Sequence, residues 1–554
     1  MELTRLTTLK QLDEVKNDWA RILSDNENSN PFIEFEWVFR WMKHIGTNKQ
    51  VEIIAVKSGE DYIGFFPFLK RKQRYWTRYE MMGAGQSNYM DFIVPHDRLD
   101  EILPFVLEKL LNDGKQNIFT LHGILESSPT YATLANLLGQ NGYKHSIHKV
   151  VTPYVNLEKI QMHEYMDKRK KLHRLERREK RLHLLGQVEH KVCETFEMDV
   201  IFQLHDKRWE KKNDTSGFTD EANRPFFNDL TTIRDGRLKT IVDALFVDGK
   251  MIAFNYGFQC GNRYLSYVLG YDDEFDSFSP GRMLEKESIA HFVSNENVSV
   301  FDLSIGYEPY KFEWCTHLDY TAKFIFSSKK KRASIGRLLF TWKEEFIDRL
   351  KQSRKIVLFK RNTLGYLKYT TEKWLKGNNR DRKKTLYAGL LKIKSAFWKK
   401  EKTWIMKKEV ERARKPGMGV GFVELKLKDA ISNKRFTHHS LKLICTKMYG
   451  GYQAYCRSEG SEDGEIIWTN RKVLRLETIP YIKELRKNAI WVEGWNEQNL
   501  ADICRFVSKE HLIHSILLEV DPRETYSVSL LQEAGFQLEK PMVFTTRLGR
   551  KKVV

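Results

Sequence analysis

The sequence predicts an α/β protein of the α+β kind, with mixed sheets divided among more than one domain. Three observations carry this. A chain of 554 residues exceeds what one hydrophobic core usually serves, so roughly two to four domains are expected. Short strand-like runs are punctuated by tight turns and then give way to helical apolar spacing. The same order of strands and helices occurs twice before residue 327 and resumes after about residue 417.

The region from Thr240 to Ser327 shows the order most plainly. "TIVDALFV" and "MIAFNYGFQC" flank Asp248-Gly249-Lys250, and "RYLSYVLGYD" follows Gly261-Asn262, so three antiparallel strands form a meander. The loop "DEFDSFSPG" leads into "RMLEKESIAHFV", where Met283, Leu284, Ile289, Ala290 and Val293 have a mostly helical spacing. Ser279 suits the N-cap, and Pro280 the first helical position, where its missing N–H has no intrahelical partner to lose. "VSVFDLSIG" and "YTAKFIFSS" read as two further strands.

The first 157 residues repeat this order more loosely. "VEIIAVK", "YIGFFPFLKR" and "NYMDFIVP" read as strands, "DEILPFVLEKLLND" as a helix, "NIFTLHG" as a strand and "YATLANLLGQNG" as a helix. Residues 1–160 and 161–327 therefore read as a structural duplication, the second copy opening with a long basic helix that ends at Gly186. Residues 328–415 hold few glycines or prolines and no strand alternation, and two or three basic connector helices are expected there. Residues 416–554 return to α/β character. "ISNKRFTHHSLKLICTKMY", "YQAYCRS" and "EIIWTN" suggest strands, followed by strand, helix and strand in "AIWVEGW", "NEQNLADICRFVSKEH" and "SILLEVD". "TYSVSLLQEAGF" is a helix closed by Gly535, and "MVFTTRLG" a last strand.

No stretch approaches the roughly 18 unbroken apolar residues of a membrane span, and no apolar run follows the first basic residue, so a cytoplasmic protein is expected. The six cysteines lack zinc-type spacing and read as buried thiols; no metal is expected. The formal charge of +20 is concentrated. Thr321 to Lys415 holds 30 Lys and Arg against 8 Asp and Glu, and "DKRKKLHRLERREKRLH" from Asp167 is a second basic run. Such runs attract polyanions or an anionic membrane surface, or else form a solvated helix face.

The meander, helix, strand and strand order, with "NPFIEFEWVFRWMKHIG", "MMGAGQSNYMDFIVP" and "SPGRMLEKESIAHF…FDLSIGYEPYKFEW", resembles the FemAB-like acyltransferases of the GCN5-related N-acetyltransferase superfamily, in the branch associated with exopolysaccharide and cellulose operons. The resemblance covers roughly residues 1 to 327; "LLEVDPRETYSVSLLQEAGF" looks like the end of a third, degenerate unit. It implies a tandem fold in which two strands splay apart around an acyl donor, acetyl-coenzyme A or another acyl-coenzyme A, whose pyrophosphate lies on a helix N-terminus. Ser279, Gly281 and Arg282 stand at that position, with Tyr267 on a neighbouring strand; the family's loop usually has more than one glycine, and this one has only Gly281.

The stretch from Asp302 to Trp314 follows the next strand and is expected to face the same cleft. In acyl transfer to an amine, Asp302 or Glu308 could take the ammonium proton, Tyr310 could protonate the leaving group, and Lys311 could neutralise the oxyanion or hold an anionic acceptor. The structural alternative is a Glu308–Lys311 salt bridge with Tyr310 and Trp314 in the core. Asp91, Trp209, Asn255 and Trp314 are candidates for substrate contact, with turn capping or packing as the alternatives for Asp91 and Trp209. Trp37 and Trp41 read as core. In the C-terminal unit, Leu531 stands where many simple acetyltransferases carry a general-acid tyrosine, so that unit reads as an appendage.

The resemblance implies an N-acyltransferase acting on a small-molecule or lipid-linked cell-envelope or polysaccharide precursor. It leaves two rivals: an aminoacyl-tRNA-dependent peptidoglycan-precursor ligase, and a non-catalytic scaffold whose basic arm binds anionic lipid or nucleic acid. No stable protein partner is implied, and the location expected is cytoplasmic, extending to the inner face of the membrane.

Overall fold

A computed structural model describes residues 1–169, 172–193, 196–210, 218, 220–233, 236–294, 297–352, 398–410, 422–432, 438–457, 466–476, 481–508, 512–547 and 550–553. The first half contains strands β1 (Glu2–Leu6), β2 (Val51–Ser58), β3 (Asp61–Lys72), β4 (Thr77–Met81), β5 (Asn117–Leu125) and β6 (His145–Asn156). Its helices are α1 (Leu9–Glu14), α2 (Lys16–Asp25), α3 (Phe35–His44), α4 (Leu99–Leu111) and α5 (Pro129–Gln140). The second half has helices α6 (Met162–Asp167), α7 (His173–Leu185), α8 (Met198–Glu210), α9 (Arg224–Leu230), α10 (Pro280–Val293) and α11 (Lys311–Trp314). Its strands are β7 (Val188–Cys193), β8 (Leu238–Val247), β9 (Lys250–Cys260), β10 (Arg263–Tyr271), β11 (Val300–Asp302) and β12 (His317–Ser327).

These twelve strands form one sheet in the order β1-β2-β3-β4-β5-β12-β6-β11-β10-β9-β8-β7. Its two sides repeat one another. In each, a meander ends in a parallel pair, β4 with β5 and β10 with β11, and an antiparallel sixth strand follows. The sixth strands are exchanged: β12 lies beside β5, and β6 beside β11. β6 and β12 also pair with each other over ten residues, from His317↔Tyr154 to Phe326↔His145, which welds the sides together. The expected duplication is therefore present, as is the meander at β8 to β10.

The expected strand "NYMDFIVP" is absent; it meets the sheet through a bridge between Phe65 and Ile93 and the Met90 N–H on Gly123 O, and β4 takes the ladder position instead. Trp37 and Trp41 are buried on α3, as their spacing implied.

Helix α12 (Lys331–Gln352) follows β12 as one of the expected basic helices, residues 353–397 lie outside the described residues, and at β13 (Trp398–Glu409) the expectation of helices fails. Lys and Glu favour helix in "WKKEKTWIMKKE", but this segment pairs with strands on both sides. The C-terminal sheet contains β14 (Phe422–Glu424), β15 (Gln453–Arg457), β16 (Ile467–Asn470), β19 (Ala489–Glu493), β20 (Ser515–Val520), β21 (Gln537–Arg547) and β22 (Arg550–Val553), while β17 (Val473–Arg475) and β18 (Ile482–Glu484) form a separate ribbon. Its order is β14-β15-β16-β19-β20-β13-β21-β22, with β19 and β20 parallel, so the pattern occurs a third time. Helices α13 (Leu427–Ser432), α14 (His438–Tyr449), α15 (Leu500–Ser508) and α16 (Thr525–Glu533) accompany it. The strand expected at "ISNKRFTHHSLKLICTKMY" is instead largely α14, whose buried Leu441, Ile444, Cys445 and Met448 keep helical spacing. Gly535 has φ 85 just beyond α16, the closing role expected of it, and Leu531 is in the core.

Candidate active site

β10 and β11 are paired through Arg263↔Val300, Tyr264↔Phe301 and Leu265↔Asp302; there β11 ends, while β10 continues to Tyr271 past a bulge between Ser266 and Val268. The chain after Asp302 leaves β10 but stays on β6, where the Leu303 N–H donates to Pro153 O and the Gly306 N–H to Val151 O, so β10 and this chain diverge. The tip of α10 faces the far part of β10. A Cβ built on Gly281 would come within 3.1 Å of Leu269 Cδ2 and Tyr271 Cδ1, so glycine allows this approach. On the other side, Arg282 pairs with Glu313 at 2.5 Å, joining the helix tip to α11.

The other tip residues are also engaged. Ser279, in the left-handed region at φ 62, accepts a hydrogen bond from Arg178 of the basic helix α7. The N–H groups of Arg282 and Met283 donate to Ser279 O and Pro280 has none, so the first turn offers an anion at most the N–H of Gly281. Positive charge is better supplied than bare amides, because two guanidinium groups and the helix dipole converge here. The basic run that starts at Asp167 therefore has a place: it lies along α10, where Glu179 also pairs with Lys286 at 2.8 Å.

Asp302 is fully buried and its lone pairs are occupied. Arg263 Nη1 lies 2.6 Å from Oδ2, and Tyr89 Oη and the Ser304 N–H donate to Oδ1 at 2.9 and 2.7 Å. Burial, and then the charge of Asp302, push the Tyr89 phenol well above its ordinary value, so it stays a donor. Asn88 donates to Ser304 Oγ at 2.7 Å, so "SNY" of the first half supports the loop of the second. Lys311 is buried too. Its Nζ donates to Ile305 O at 2.6 Å and Ser304 O at 3.4 Å and pairs with Glu308 at 3.1 Å, which fastens a loop strained at Ser304 (φ 68). Glu308 is exposed at the rim, and Tyr310, half-buried, stands just ahead of α11.

Two features were missed by sequence reasoning. Glu285 on α10 is buried with Ser288, Ile289 and Phe292, a carboxyl on the apolar face; that spacing could have revealed it. Burial dominates and pushes it up to about 8, against the pull of Trp314, Lys311 and Arg282, so the group is largely neutral at pH 7. Arg169 closes the back of α11. It donates to Glu313 O, Trp314 O and Cys315 O at 3.1, 3.1 and 3.2 Å, and stacks over Tyr165, whose hydroxyl also donates to Trp314 O.

The remaining candidates are dispersed. Tyr267 lies among Phe32, Phe227, Tyr256 and Phe258 and donates to Gln86 O at 2.6 Å. Asn255 is buried and its Oδ1 accepts from Ser266 at 2.9 Å, while its Nδ2 has no hydrogen-bond partner among the described residues. Asp91 accepts from the Phe92 N–H and from Ser128, the N-cap of α5, at 2.7 and 2.5 Å, and so acts as a capping carboxylate. Trp314 is buried against Glu285. Trp209 stands on α8, and its side chain lies outside the described residues.

The C-terminal unit docks beside this site. α14 packs on the turn Asp273–Phe278, with Phe278 and Tyr449 edge to face at 5.3 Å and Arg181 over the Tyr449 ring at 4.9 Å. A cavity of about 290 Å³ lies within that unit, where β19 and β20 part, lined by Glu401, Glu493, Glu519, Asp521, Glu524 and Arg523 among others. Its acidic lining suits no phosphate. Among the described residues there is no group of three or more His, Cys, Asp or Glu suited to a metal ion.

No curated protein matches the chain. Solved structures similar to it include the C-terminal domain of a putative lysylphosphatidylglycerol synthetase from Agrobacterium fabrum, with 12% identity, a TM-score of 0.39, and coverage of 60% of this chain and 95% of that one. FemX is similar at 11% identity and a TM-score of 0.41, over 58% of this chain and 97% of that one. A tandem GNAT protein from the clavulanic acid biosynthesis pathway is similar at 11% identity and a TM-score of 0.37, over 60% and 100%. Likeness at this level bears on neither activity nor substrate. Residues 169–312 match the family model described as Acetyltransferase (GNAT) domain, so the splayed strands, the facing helix and the Asp302 loop lie within a GNAT, acyltransferase-like domain.

Proposed function

We propose that the chain is an N-acyltransferase that moves an acyl group from an acyl-coenzyme A to an amine of a cell-envelope or polysaccharide precursor. The observation that carries this reading is the gap between β10 and β11 facing the tip of α10, where Arg178 and Arg282 converge, inside the stretch that matches the acetyltransferase family. The donor's phosphates would be held by those two guanidinium groups and the N–H of Gly281, replacing the contacts to Ser279 and Glu313.

In the reaction, the acceptor nitrogen forms a bond to the thioester carbonyl carbon and the carbon–sulfur bond then breaks. The ammonium proton passes to Glu308, whose exposure leaves it open to an acceptor, whereas Asp302 is enclosed by three donors. Tyr310 protonates the departing thiolate and is restored by the second proton, which the nitrogen loses on becoming an amide. Lys311 holds the loop that carries both, and Trp314 packs behind it against Glu285. We take 1–160, 161–327, 328–415 and 416–554 as working divisions, with the donor site in the second.

A second reading has an observation of its own: the tip's charges are already paired within the chain, as in a cleft that has lost its donor and serves as a scaffold. An aminoacyl-tRNA donor is the third possibility. A thermal-shift series with acetyl-coenzyme A, longer acyl-coenzyme A species and aminoacyl-tRNA separates them, since a ligand of the native state raises Tm. The proposal expects a rise with an acyl-coenzyme A that is lost in the Arg178→Ala/Arg282→Ala variant. A rise with aminoacyl-tRNA alone, or no rise at all, overturns it.

A further inference from the structure

Helix α12 has two apolar faces, and only one is packed. On the inner face Ala333 is buried, Gly336 lies so close to Ile118 and Trp76 that a Cβ would come within 2.5 Å of Ile118 Cδ1, and Phe340 meets Trp76 edge to face at 6.4 Å. On the outer face Ile335, Leu338, Leu339, Trp342 and Phe346 are 49, 55, 57, 67 and 52% exposed. At about 100° per residue these five fall in a single stripe roughly 100° wide, on the side opposite the packed residues. Trp342 and Phe346 stack within it at 5.9 Å. Single exposed apolar residues need no explanation, but five large ones in a row mark an interaction surface.

The rim of the stripe is basic. Lys329, Lys330, Lys331 and Arg332 are exposed at the start of the helix, and Lys343 flanks Trp342. Arg332 lies 5.8 Å over the ring of exposed Tyr75, which brings the loop bearing Lys72 and Arg74 alongside. Of the acids on this helix, Glu344 is turned to Lys323 at 2.7 Å, and Glu345 is exposed beside the stripe next to Phe346. The surface is thus an apolar centre with a cationic border at the start of the helix. Among the described residues no helix is long and apolar enough to cross a membrane.

We propose that α12 seats the protein on the surface of an anionic bilayer. The stripe enters the boundary between headgroups and acyl chains, to a depth of about 5–10 Å, and the Lys and Arg rim meets the lipid phosphates. A nucleic acid would satisfy the rim but leave Ile335, Leu338 and Leu339 in water, since aliphatic side chains offer bases no stacking face. This inference rests on the helix surface alone and is independent of acyl transfer.

The test is flotation of the full chain with vesicles of phosphatidylcholine alone and of phosphatidylcholine with an equal part of phosphatidylglycerol. The protein is expected to float with the anionic vesicles, at least tenfold more than with the neutral ones. Leu339→Glu/Trp342→Glu and Lys331→Glu/Arg332→Glu are each expected to reduce this at least tenfold while leaving Tm unchanged, because all four side chains face solvent. The proposal is overturned if the wild type does not float with anionic vesicles, or if the Leu339→Glu/Trp342→Glu variant floats as the wild type does. It is also overturned if a single-stranded oligonucleotide strips the wild type from anionic vesicles and binds the wild type and the Leu339→Glu/Trp342→Glu variant with the same strength.

Discussion

Glu285 shows how one buried carboxyl can set a pH dependence. Its folded value of about 8 lies above the ordinary 4.5, so the folded protein holds the proton more tightly than the unfolded chain does. Stability from this group is therefore fully present below about pH 4.5, falls as pH rises, and levels off above about 8. The difference across that window is about 5 kcal/mol. Glu285→Gln keeps the shape and removes the titration. Denaturation midpoints at pH 5 and pH 8 should show the variant gaining on the wild type as pH rises, and parallel pH dependence would mean that Glu285 is ionised in the fold. Asp302 is as deeply buried, but three donors, the Arg263 guanidinium among them, satisfy its oxygens.

At the scale of elements, α11 has only four residues and owes its position to what surrounds it. Arg169 donates to three of its terminal carbonyls, and an alanine there would leave those acceptors uncapped. Arg169→Ala should cost about 2 kcal/mol or more in urea unfolding, and under the acyltransferase reading it should lower kcat more than it raises KM, since Tyr310 loses its support. Arg169→Lys should recover little, because an ammonium cannot span the three oxygens. The parts of the site that could be read from sequence were those written in local chemistry: Gly261-Asn262 for the turn into β10, and Ser279-Pro280 for the start of α10. Arg169, Arg178 and Tyr89 could not be read in this way, because their partners lie 144, 101 and 213 residues away. The misread segments failed for a related reason. "NYMDFIVP" is apolar because it fills the mouth of the β4–β5 pair, with the Met90 N–H on Gly123 O, and not because it enters a ladder. β13 looks helical in composition, and its pairing with β20 and β21 decides otherwise.

At the scale of the whole molecule, the exchange of β6 and β12 ties the two sides of the large sheet into one body. Residues 1–160 expressed alone would lack the strand that separates β5 from β6, and residues 161–327 alone would lack β6, one of the two partners of β11. Each fragment is expected to be insoluble or molten by circular dichroism and dye binding, and co-expression should recover a folded pair. Two independently soluble, cooperatively unfolding fragments would refute the exchange as a stability element.

The exchange also fixes an order of events during synthesis. When β6 leaves the ribosome, its place in the sheet is not yet complete, because β12 must enter between it and β5 and is encoded some way downstream. At about 5–20 residues per second, the nascent chain spends on the order of ten to thirty seconds with two open strand edges. During that interval the edges can pair with other chains, so yield in the cell should depend on translation speed and on chaperones that shield unpaired backbone.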